Sequence, residues 1–251
     1  MKNLIFISIL LLVVSCDEDN NRVLDENVLS DYLEINNSRE LADLVACAGG
    51  KEDGLLGSID EPTDVFFYPI EGATEFRYFE AENVADSTDF SKYIAKDLMS
   101  EPIFNGYLWK FNNTPFEGER MGVVTYKTEG KIHACTPIRQ KTTTKPTEVN
   151  FELGNVIENG VTPKFTWEDG TIDDTVIYFQ IISDSENNFI SGTYTIDNEF
   201  TFYDLSNVVF NITDTTSVPT LEPKKDYKFT MMSVSEDNWV NLFLEKEFRT
   251  E

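Results

Sequence analysis

The chain has 251 residues, 45 acidic against 20 basic, for a formal net charge of −25. Phosphate contacts need clusters of lysine and arginine, so this balance excludes nucleic acid as a natural partner and argues against charge-driven docking on anionic lipid. With 41% hydrophobic residues, 19 Phe and 10 Tyr, the sequence can build real cores, and its aromatic bias points to strands.

Met1-Lys2 is a short positive start, and Leu4 to Val14 is an apolar run. It falls short of the roughly 20 residues that span a bilayer, so residues 1–15 read as a signal peptide. The run ends in Val13-Val14-Ser15-Cys16, which resembles a bacterial lipobox. That resemblance implies an acylated Cys16 as the first mature residue, so that the N-terminal lipid makes the membrane a partner. Each buried methylene of such chains contributes about 0.8 kcal/mol, and several chains on one cysteine suffice. Asp17-Glu18-Asp19 follows at once and resembles the export signal of surface lipoproteins in Bacteroidota-type cells. The implied location is the outer membrane, at the cell surface. Residues 16–40 are acidic and poor in large apolar groups, the composition of a flexible tether. Within it, Val28 to Ile35 has the pattern of one short helical segment.

From Leu41 the pattern changes to short strand-like runs. Asp64 to Tyr68 is an aromatic strand stopped by Pro69, which cannot donate to a ladder. Glu71-Gly72 turns into Glu75 to Glu80, where alternation puts Phe76 and Tyr78 on one face and Arg77 and Phe79 on the other. Gly106 to Phe111, Met121 to Tyr126 and Lys131 to Cys135 complete the set, and the spacing predicts a small β-sandwich over residues 41–140.

Residues 141–147 (Lys141-Thr142-Thr143-Thr144-Lys145-Pro146-Thr147) contain no large apolar side chain and read as a linker. A second strand set over residues 148–251 follows: Val149 to Leu153, Pro163 to Trp167, Thr175 to Ser183, Phe189 to Tyr194, Phe200 to Tyr203, Tyr227 to Ser235 and Trp239 to Phe248. The halves share a weak likeness. Phe66-Phe67-Tyr68 and Phe165-Thr166-Trp167 each lead through an acidic, glycine-containing turn to another aromatic strand.

The second half resembles a fibronectin type III domain. Trp167 stands where that family carries the buried tryptophan of its second strand, and Leu221 to Met231 is similar to the leucine, proline and tyrosine entry into the sixth. The resemblance implies a tyrosine corner, with the Tyr227 hydroxyl bonded to backbone a few residues upstream. The long stretch Val208 to Thr220 departs from the family pattern. Residues 41–140 are similar to immunoglobulin-like sandwiches generally. The fold class expected is therefore all-β: two immunoglobulin-like (fibronectin type III-like) β-sandwiches in series after a signal peptide and disordered tether. The whole mature chain resembles uncharacterised surface lipoproteins of Bacteroidota-type cells, a family that carries no assigned chemistry.

Motifs for chemistry are sparse. His133 and Cys135 are two apart on a strand and share a face, but a structural histidine is the favoured reading. Too few His and Cys are present for a zinc site, and no metal or other cofactor is expected. Glu168 to Asp174 has oxygens that suit calcium without the regular loop spacing, so a solvated acidic hairpin is favoured. Cys47 and Cys135 leave open a disulfide, worth up to about 4 to 5 kcal/mol in the chain-entropy account, or two buried thiols. Tyr107, Trp109 and Trp239 are candidate binding aromatics for a sugar ring or a partner side chain, against the plainer reading that they fill cores. No catalytic residue is singled out. The expected function is that of a non-enzymatic, lipid-anchored adhesion or binding module for polysaccharide or a surface protein. A spacer or accessory subunit of an outer-membrane complex is the alternative, and a carboxylate-dependent hydrolase comes third.

Overall fold

The computed structural model describes residues 22–51, 63–113, 116–213 and 216–251. The signal peptide and Cys16 lie outside the described residues. The chain is mostly β. One short α-helix, α1 (Leu29–Ile35), precedes the strands.

The first two sheets use β1 (Glu40–Asp43), β2 (Ala46–Gly50), β3 (Thr63–Phe67), β4 (Thr74–Ala81), β5 (Ile94–Lys96), β6 (Ser100–Ile103), β7 (Leu108–Asn113), β8 (Arg120–Thr128), β9 (Lys131–Ala134) and β10 (Ile138–Gln140). One sheet runs β1-β9-β8-β4-β5 with β10 also on β8; the other runs β2-β3-β7-β6. Gly130, at φ +76°, closes the tight turn between β8 and β9 in a conformation that side chains with a Cβ avoid. Val65, Phe67, Phe111, Tyr78 and Val123 fill the space between these sheets.

The remaining strands are β11 (Glu148–Val149), β12 (Gly154–Ile157), β13 (Lys164–Trp167), β14 (Thr175–Asp184), β15 (Phe189–Thr195), β16 (Glu199–Thr201), β17 (Val208–Asn211), β18 (Asp226–Ser235) and β19 (Val240–Arg249). They form a sheet ordered β11-β19-β18-β14-β15-β17 and a smaller one ordered β12-β13-β16. Phe165 stacks on Phe229 at 4.2 Å in the core between them, beside Trp167, Leu242 and Leu244.

The two pairs of sheets repeat one plan. With β6, β10 and β17 set aside, β1-β9-β8-β4-β5 corresponds to β11-β19-β18-β14-β15, and β2-β3-β7 to β12-β13-β16. In each, a short first strand pairs parallel to the last of these strands, β9 or β19, and the chain then crosses to the opposite sheet. The likeness visible in sequence joins β3 to β13 and β4 to β14, the corresponding strands.

The structure departs from the sequence reading in three places. Residues 22–40 are not wholly a tether: Leu29 and Tyr32 are buried, and Tyr32 packs on Phe79 at 5.5 Å. Arg77 lies over both rings, 4.9 Å and 5.1 Å from their centroids, so α1 covers the outer face of the first sheet. Val149 to Leu153 is not one strand: it divides into β11 and a 3-10 turn, Phe151–Leu153, before β12. The stretch after Val208 adds β17 to the edge of the sheet beside β15.

Candidate functional site

Sheet β2-β3-β7-β6 has apolar side chains on both faces. Along β3, Val65 and Phe67 enter the first core while Phe66 points outward; along β7, Phe111 points in and Leu108 outward. The sheet β11-β19-β18-β14-β15-β17 behaves likewise, sending Phe179, Ile181, Met232, Val240 and Phe243 away from its own core. Phe66 and Leu108 join these five side chains in one buried cluster. The two sandwiches are therefore packed face to face through an apolar joint.

Further contacts close this joint at both ends. Tyr107 stacks on Phe189 at 3.6 Å, nearly parallel, and its hydroxyl donates to the Ile212 carbonyl at 2.5 Å. Ile212 sits tightly against β15, where a Cβ on Gly192 would come within 2.7 Å of it. At the other end, the turn between β18 and β19 reaches across. Asp237 forms a salt bridge with Lys141 at 2.7 Å, the Asn238 carbonyl accepts from Ala48 N–H at 2.9 Å, and Trp239 is 0% exposed within the first sandwich's core. The Trp239 indole N–H donates to the Lys145 carbonyl at 2.9 Å. Residues 141–147 are thus tied into the joint, with Lys141, Thr142 and Thr147 buried.

The joint also contains charge. Asp64 and Lys110 alternate with Val65 and Phe111, so they share the outer face of their sheet with Phe66 and Leu108. Their side chains are 0% and 5% exposed and meet at 2.8 Å, with Glu101 3.1 Å from the same ammonium.

Between the sheets, beside this cluster, an apolar cavity of about 260 Å³ remains. Cys47, Phe66, Tyr68 and Leu108 line it from the first sandwich; Phe179, Tyr194, Phe210 and Met232 line it from the second. Burial, and secondarily Cys135, pushes the Cys47 thiol up to about 12, so it is neutral and a poor nucleophile at physiological pH. Burial raises the Tyr194 phenol well above its ordinary value, with the Cys47 thiol adding to the shift.

The candidate binding aromatics take structural places instead of forming a platform. Trp239 is sealed in a core. Trp109 is half-buried, packs on Phe76 at 4.8 Å and donates its indole N–H to Gly106 O. Tyr107 precedes β7 in helical backbone conformation, so strand alternation does not reach it, and it turns into the joint with Leu108 rather than sharing a face with Trp109.

Cys47 and Cys135 are both free. Cys47 faces the joint while Cys135 lies in the first core, on opposite sides of one sheet, so the disulfide left open by sequence is not formed. His133 is buried, stacked on Tyr126 at 4.5 Å, with Thr128 Oγ1 at 3.1 Å from Nε2 and the Asp43 carbonyl at 3.3 Å from Nδ1. The Cys135 sulfur instead accepts from Val124 N–H, and burial pushes this thiol up to about 12. In the acidic hairpin, Asp169 accepts from Asn198 and the Tyr178 hydroxyl, and Asp174 pairs with Lys145 and Asn241. Among the described residues no cluster of His, Cys, Asp and Glu could hold a metal ion, and no helix is long and apolar enough to cross a membrane.

The sequence reading missed the joint, although a signal for it was present. Val65 to Tyr68, Val176 to Phe179 and Leu242 to Leu244 are unbroken apolar runs, the mark of strands covered on both faces. Comparison with protein-family models and with curated proteins finds no match.

Proposed function

We propose that this chain is a non-enzymatic, lipid-anchored protein of the outer membrane, exposed at the cell surface, whose two sandwiches act as one rigid accessory subunit of a surface assembly. The observation that carries this reading is the joint, with Trp239 of one sandwich buried in the core of the other. Modules strung together for reach need no such plug. With Trp239 buried and Tyr107 turned into the joint, only half-buried Trp109 is left of the three aromatics that a sugar platform would use.

A fibronectin type III-like identity for the second sandwich is supported by two contacts. Trp167 on β13 lies in the core, and the Tyr227 hydroxyl accepts from the Glu222 backbone N–H at 2.8 Å, five residues upstream. Tyr227→Phe removes that bond and is expected to lower stability by roughly 1 kcal/mol, read from the urea midpoint. An unchanged midpoint would show that the Tyr227 hydroxyl bond does not hold the corner. Capture of a polysaccharide or surface protein is a second reading, favoured by the edge strand β17, which exposes Val209 and Phe210.

Anchoring and assembly are tested on the same preparation. Cys16→Ala is expected to move the protein from the membrane to the soluble fraction, and continued membrane retention would refute lipid anchoring. Extracted in mild detergent, the intact protein is expected to migrate in an assembly much larger than its own chain. A monomer retained on the cell's own polysaccharide would instead establish the capture reading.

A further inference from the structure

We propose that the cavity between the sandwiches is a binding site for a small, flat, uncharged aromatic molecule bearing one hydrogen-bonding group. This goes beyond the accessory-subunit reading and does not depend on anchoring. The cavity's volume, about 260 Å³, exceeds the roughly 150 Å³ of an apolar cavity known to admit benzene. Among the described residues, none that lines it is charged. An ion entering would give up its hydration without a partner, which selects against charged ligands.

The walls favour a flat ring. Tyr194 stacks on Phe179 at 4.4 Å and 15°, Phe66 stands on the opposite sheet, and Met232 supplies a polarisable sulfur. Tyr194 also carries the polar handle. Its hydroxyl has no hydrogen-bond partner among the described residues, and the neighbouring Cys47 thiol is at best a weak one. A ligand group beside it gains a bond the protein leaves unmade. Access is provided by β17, whose Phe210 both lines the cavity and is 46% exposed. Both sandwiches contribute walls, so an occupant bridges them.

The test uses the soluble Cys16→Ala protein, with naphthol, naphthalene and naphthoate as probes, followed by calorimetric titration. Naphthol is expected to bind saturably at one site, with naphthalene weaker and naphthoate at least tenfold weaker than naphthol. Tyr194→Phe should weaken naphthol about tenfold and leave naphthalene unchanged, because only the hydroxyl is lost. Cys47→Phe should abolish binding of both by filling the cavity. Should that variant fail to fold by circular dichroism, Leu108→Phe serves instead. Equal binding of naphthol and naphthoate, or full naphthol affinity in Tyr194→Phe or in a folded cavity-filling variant, would overturn the proposal.

Discussion

Trp239→Ala is expected to destabilise the protein by about 3 to 5 kcal/mol, the range for removing a large aromatic side chain from a packed core. The expectation rests on where the ring lies. Trp239 belongs by chain order to the turn between β18 and β19, yet it is fully buried with residues of the first sandwich. Truncation therefore opens a cavity in one sandwich and detaches it from the other. In urea the single transition of the parent should divide into two. Trp239→Phe keeps most of the ring and loses only the indole bond to Lys145, so about 1 to 2 kcal/mol is expected there. Equal midpoints for the alanine variant and the parent would show that the plug contributes nothing.

Lys110→Met is expected to cost a similar amount, for an electrostatic reason. Lys110 and Asp64 are nearly devoid of solvent, and taking away one member of such a pair typically costs about 3 to 5 kcal/mol. The penalty belongs to the remaining carboxylate, not to a lost attraction. The double variant Asp64→Leu with Lys110→Met should therefore recover most of the loss, because two apolar groups need no compensation. By contrast Arg249 and Asp226, both largely exposed and 2.6 Å apart, form a pair worth about 1 kcal/mol or less, and Arg249→Ala should scarcely move the midpoint. If Lys110→Met matched Arg249→Ala, the first pair would have to be solvated.

Much of the strand inventory was legible because its residues are distinctive. β3, β4, β8, β13, β14, β18 and β19 carry aromatic or β-branched side chains bounded by Pro, Gly or acidic turns. β2 was not, since Ala46-Cys47-Ala48-Gly49-Gly50 has small residues with little strand preference of their own. Its place is set by tertiary contacts, between β3 and the Asn238 carbonyl. The helix at Leu29–Ile35 was visible as a pattern but read as part of a tether, because an acidic segment hides two residues, Leu29 and Tyr32, that a sheet face can bury. The joint was the largest omission. Unbroken apolar runs announce that a strand is covered on both faces but do not say by what, and Phe66 meets the face carrying Phe179 only once both sandwiches exist. The same holds for the cavity, whose walls come from strands far apart in the chain.

The two sandwiches are held as one body, closed by Trp239. Hydrogen exchange of the Trp239 indole N–H, followed by NMR in the Cys16→Ala protein, addresses this most directly. The indole is expected to exchange as slowly as the backbone amides of β8 and β18, through global unfolding only. Exchange orders of magnitude faster than those amides would mean that the sandwiches part while each remains folded, and the rigid-body account would be wrong.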